Sequence, residues 1–117
     1  MKKSYFLIMI VLGFCTCKKN TDNVSSPRVA VYVVGTEFNG YAKIAKYWKN
    51  GKAVALTDST KDAYGESIAV VGSDVYAAGG EMDRSDYTAK YWKNGQATAL
   101  TDGTREAWST GIVVVNR

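Results

Sequence analysis

The sequence has no histidine and only two cysteines, and each shortage removes a class of protein before any motif is read. Without imidazole there is no Ser-His-Asp or Cys-His catalysis, and the commonest zinc ligand is missing. Cys15 and Cys17 sit close together near the start and none follows, so the folded part is not a disulfide scaffold. No apolar run reaches the roughly 20 residues needed to span a bilayer as a helix. The formal net charge of +4 over 117 residues invites a nucleic-acid partner until it is located. Lys2, Lys3, Lys18, Lys19 and Arg28 face only Asp22 among residues 1–29, whereas from Ala30 onward basic and acidic side chains are ten each. The excess belongs to the leader, and no nucleic-acid partner is expected.

What the leader does contain is ordered by type. Lys2 and Lys3 precede the apolar stretch Tyr5 to Phe14, which ends at Cys15-Thr16-Cys17 and two further lysines. The stretch has the length of a signal h-region, and no A-x-A-like cleavage site follows it. The arrangement resembles a bacterial lipoprotein signal, in which a cysteine receives a diacylglyceryl group and becomes the first mature residue. That resemblance implies lipidation of Cys17, which follows the small Thr16, and an address in the bacterial cell envelope with the membrane as partner through the lipid anchor. Residues 1–17 are then the signal and residues 18–29, polar and closed by Pro27, a flexible tether.

The remainder, residues 30–117, is an internal repeat. Val31 to Ser73 aligns with Val75 to Arg117 without a gap and with 21 identities in 43 positions, a period of 44 residues. Its clearest signature is A-K-Y-W-K-N-G at Ala45 to Gly51 and Ala89 to Gly95, followed by A-x-A-L-T-D at Ala53 to Asp58 and Ala97 to Asp102. Periods in the forties belong both to four-stranded propeller blades and to helical HEAT or armadillo units. The Asn50-Gly51 and Asn94-Gly95 pairs decide for strands, because each supplies two positive-φ residues to a type I′ hairpin between aromatic or β-branched runs. The spacing predicts strand a at 67–71, b at 75–81, c at 88–93 and d at 97–101, with the earlier repeat giving b at 30–37, c at 44–49 and d at 53–57. A lone strand a is expected at 111–115.

This pattern resembles β-propeller repeats found in bacterial surface lipoproteins of mostly uncharacterised function, over about Ala30 to Val115. The resemblance implies an all-β fold of antiparallel four-stranded blades, two blade equivalents in the order b-c-d, a-b-c-d, a. Two blades do not close a ring, since propellers use about four to eight. Three outcomes are compatible with the strand order. Several copies complete one ring as a homo-oligomer; or strand a at 111–115 folds back onto Ala30 to Val34, giving a compact two-sheet β-sandwich; or the chain is a truncated remnant of a longer propeller protein, an expectation prompted by its abrupt end at Asn116-Arg117.

The two repeats differ unevenly. The longest mismatched run sets Phe38 to Ile44 against Met82 to Thr88, and the next sets Tyr64 to Ser67 against Trp108 to Gly111. In blade geometry both fall in the b to c and d to a loops of one face, where binding specificity or unrestrained drift would put them. On that face Tyr41, Tyr64, Tyr87 and Trp108 offer rings for stacking on a glycan or a protein ligand, or for packing between blades, and Asn39, Arg84 and Asp86 offer hydrogen bonds. Tyr47, Trp48, Tyr91 and Trp92 lie inside the repeated strands and read as structure. Asp58 and Asp102 in T-D-x-T read as Asx turns rather than a calcium loop. Glu37 and Glu81 recur beside strand b, where they either neutralise lysines or line a channel.

No catalytic set, metal ligand or cofactor motif is read. The expectation is a non-catalytic binding or scaffold module. The alternative from another class, a carboxylate-dependent glycoside hydrolase using Glu37, Glu81 or loop aspartates, lacks a spacing that would fix its carboxylates.

Overall fold

The two Asn-Gly pairs fold the chain as their φ preferences require. Asn50 and Gly51 adopt φ of 50° and 85°, and Asn94 and Gly95 adopt 49° and 85°, closing the same hairpin twice. Around them the computed structural model, which describes residues 28–117, contains seven strands and no helix. The leader, Cys15, Cys17 and nearly all of the tether lie outside the described residues. The strands are β1 (Tyr32–Phe38), β2 (Lys43–Lys49), β3 (Lys52–Ala55), β4 (Ala63–Val71), β5 (Asp74–Asp83), β6 (Asp86–Lys93) and β7 (Gln96–Ala99). No helix among the described residues is long and apolar enough to cross a membrane.

Two antiparallel sheets result, β1-β2-β3 and β4-β5-β6-β7, each with its strands in chain order. Their registers are the same one repeat apart: Val34 pairs with Tyr47 as Ala78 pairs with Tyr91, and Val33 with Trp48 as Ala77 with Trp92. Every predicted strand from 30 to 101 is present within a few residues of its expected bounds. The largest departure is β4, which begins at Ala63 rather than at 67. A register shift between Gly65 and Ser67 accounts for it, because the bulge lets the strand continue through Glu66. The bulge depends on Gly79 opposite, where an added Cβ would lie 1.7 Å from the Tyr64 carbonyl oxygen.

β4 lies against β1 and β2 and so joins the sheets face to face. Between them Ala45, Leu56 and Ala63 meet Ala77 and Trp92, with Val34 and Tyr47 packed on the edge. Trp92, 1% exposed, is the largest fully buried side chain among the described residues. Small side chains set the spacing: a Cβ on Gly65 would come within 2.8 Å of Val34 and 2.9 Å of the Gly35 carbonyl.

The expected strand at 111–115 is corrected. It belongs to neither sheet, and it does not fold back onto residues 30–34. Residues 112–115 instead lie beside Tyr76 and Tyr91, and Ser67 Oγ accepts a hydrogen bond from the Ile112 amide at 3.2 Å. A strand needs a neighbour with a free edge, and β5 and β6, whose Tyr76 and Tyr91 this segment lies beside, are already paired on both sides.

Candidate ligand-binding cleft

The repeated turns around the open end of the sheets are built by side chains that serve the backbone. Asp58 Oδ1 accepts from the Thr60 amide (3.0 Å) and hydroxyl (2.7 Å), and Asp102 does the same for Thr104, at the same distances. The threonine hydroxyls hold both carboxyls below the ordinary aspartate value. These are the predicted Asx turns. Asn39 Oδ1 likewise receives the amides of Tyr41 and Ala42 at 2.8 and 2.9 Å. Glu37 and Glu81 pair with Lys46 and Lys90 on the neighbouring strand, the second pair at 2.6 Å. The lysine-neutralising reading of these glutamates is the one the geometry shows.

At this end a cleft of about 360 Å³ opens between Tyr64 of β4, Tyr87 of β6 and Trp108 of the segment after β7, with Glu66 and Glu106 completing its lining. The Tyr64 and Tyr87 rings are 5.3 Å apart between centroids and inclined at 49°. Trp108 is held from both sides in sequence. The Ala107 amide donates to the Tyr87 carbonyl at 2.8 Å, and the Ser109 amide and hydroxyl donate to the Gly79 carbonyl at 3.0 and 2.7 Å. Gly80 leaves room beneath it, since a Cβ there would be 2.9 Å from Trp108 Cβ. The indole is thus anchored through its backbone while the side chain stays 54% exposed.

Charge polarises the tyrosine pair. The Lys43 ammonium, 5.3 Å from the centre of the Tyr64 ring, and after it the Tyr87 hydroxyl hold the Tyr64 phenol below its usual value. Desolvation, and then the neighbouring Tyr64, push the Tyr87 phenol up to about 12. Interaction with Tyr64 raises Lys43, which stays an ammonium at neutral pH. Asp62 fixes the same corner: its carboxylate accepts from the Lys43 amide at 2.8 Å and its carbonyl from the Met82 amide at 2.7 Å. The result is a set of aromatic faces rimmed by carboxylates and hydroxyls, an arrangement suited to stacking and hydrogen bonding.

Of the seven residues singled out from sequence, Tyr64, Tyr87 and Trp108 come together in the cleft. The other four do not line it. Asn39 shapes its own loop, Tyr41 stands 91% exposed, Arg84 occupies a turn at φ 62°, and Asp86 faces Asp83 across the β5–β6 hairpin. Lys43, Glu66 and Glu106 were missed. Lys43 and Glu66 fall within the two mismatched runs of the repeat, which therefore carried the signal; Glu106 aligns with Asp62, a conservative difference that carried none. Comparison with known proteins finds no matching family model, no similar curated protein and no similar solved structure.

Proposed function

We propose that this chain is a lipid-anchored protein of the bacterial cell envelope, built of propeller-type blade repeats, that binds a glycan in the Tyr64–Tyr87–Trp108 cleft without catalysing its turnover. The convergence of three aromatic side chains with two carboxylates in one open cleft carries the reading. Pyranose rings present a flat face of C–H groups to an aromatic side chain and hydroxyls to carboxylates at its rim, and large aromatic area gives affinity at little conformational cost. The blade reading is supported by sheets that run in chain order and by the missing first strand of β1-β2-β3, as a permuted repeat expects. The non-catalytic reading is supported by the pairing of Glu37 and Glu81 with lysines in each repeat.

Calorimetric titration with short hexose and N-acetylhexosamine oligosaccharides tests the binding. Trp108→Ala is expected to weaken it about tenfold, ~1.4 kcal/mol, with an unchanged far-ultraviolet spectrum. Equal affinity in the variant, or no binding by the parent chain, would sink the glycan assignment. The anchor has its own check: Cys17→Ala should abolish labelling by radioactive fatty acid in cells, and persistent labelling removes Cys17 as its site.

A further inference from the structure

The repeat allows each residue at the junction of the two sheets to be compared with its counterpart 44 positions away. Leu56, at the end of the first sheet, is 8% exposed beneath the second, whereas Leu100, its counterpart, is 56% exposed. The mismatch reverses on the opposite face. Ala77 and Trp92 of the second sheet are sealed, at 0% and 1%, while Val33 is 52% exposed and Trp48 only half-buried. The chain therefore displays one half of its internal junction at each end: Leu100, Ala107 and Tyr91 at one, Val33 and Trp48 at the other.

The unpaired segment at 111–115 fits the same comparison. Its position against the second sheet follows that of β4 against the first: Gly65 lies on the Gly35 carbonyl, and Ser109, aligned with Gly65, hydrogen-bonds the carbonyl of Gly79, aligned with Gly35. What it lacks is a strand to pair with. β1, at the edge of its sheet, has a strand partner on one side only.

We propose that a second copy of this chain docks head to tail on the first, its β1 pairing with residues 111–115 and its Val33–Trp48 face closing over Leu100. The register follows from β4 and β5, where Ser67, Ile68, Ala69 and Val70 pair with Ala78, Ala77, Tyr76 and Val75. One repeat on, Gly111 pairs with the second copy's Val34, Ile112 with its Val33, Val113 with its Tyr32 and Val114 with its Val31. Strand alternation then matches the burial already present: Ile112 and Val114 are half-buried toward the second sheet, and their partners Val33 and Val31 present exposed apolar side chains on that same side. The added strand supplies main-chain hydrogen bonds and the side chains specificity, the physics of β-augmentation. Because the contact is heterologous, it propagates from copy to copy until it closes.

The inference is independent of the glycan reading, since assembly and oligosaccharide binding are measured separately. The test uses the full chain with Cys15→Ser and Cys17→Ser, which leaves it unlipidated and without native thiols. Native mass spectrometry at micromolar concentration is expected to show species of whole copies, two to four for a ring of four to eight sheets. Adding Val33→Cys and Ile112→Cys should give a disulfide between chains on a non-reducing gel, whereas Val33→Cys with Val113→Cys, one residue out of register, should not. Leu100→Asp should convert the assembly to monomers without changing the β-sheet spectrum. Monomers of the parent at every concentration, a Val33–Ile112 disulfide formed within one chain, or assembly undisturbed by Leu100→Asp would each overturn the proposal.

Discussion

Tyr87 and Tyr64 are chemically the same group 5.3 Å apart, yet their surroundings drive them in opposite directions. Desolvation keeps the Tyr87 proton in place to about 12, while a free phenol in the unfolded chain ionises near 10. Between these values the folded state holds a proton that the unfolded state releases. The contribution of Tyr87 to stability is therefore complete below about pH 10 and lost as pH rises through about 12. Tyr64 has the opposite sign: its lowered value contributes above the unfolded pKa and is lost as pH falls through the folded one. An absorbance titration at the tyrosinate band should show one late component that disappears in Tyr87→Phe; identical curves for the two proteins would remove the assignment. Residue types at this site were readable because Tyr64, Tyr87 and Trp108 sit where the repeats disagree. Their convergence was not, since it depends on the bulge at Gly65 and on Ser109 reaching Gly79 across the sheet.

At the level of elements, the hairpins were the most legible part, because Asn-Gly encodes its own backbone angles. The asparagines also do something the dipeptide alone does not announce. Asn94 Oδ1 accepts from the Val75 amide at 2.9 Å and its Nδ2 donates to Asp74 at 3.0 Å, so the β6–β7 turn ties down the start of β5. Asn50 makes the equivalent bond to the Val31 amide at 2.9 Å. Asn94→Ala loses that bond and places a Cβ-bearing residue without local compensation in the left-handed region, at a cost of about 2 kcal/mol in urea unfolding. Asn94→Gly should recover about half of this, and equal losses for the two variants would show that backbone strain contributes nothing. The strand expected at 111–115 shows where local reading stops. Its apolar β-branched sequence is that of a strand, but pairing is a property of the neighbour, and no sequence window contains the neighbour.

For the whole molecule, the junction between sheets is formed largely of alanine and glycine, with Leu56 and Trp92 as its only large buried side chains among the described residues. Such a core has little to spare. A domain of this size has a total stability of roughly 5–13 kcal/mol, and Leu56→Ala should remove about 3 kcal/mol of it, read as a shift in the denaturation midpoint at constant slope. A loss below about 1 kcal/mol would place the stabilising contacts elsewhere. The sequence period announced two equivalent units but not which faces meet, because identical residues occupy both the sealed and the open side. Trp48 and Trp92 make that ambiguity optical. One indole of the repeated pair is shielded from water and the other is half open to it, so once the exposed Trp108 is replaced by phenylalanine the emission combines a blue and a red component whose ratio reports, without any label, how much of the first sheet's outer face is covered at a given moment.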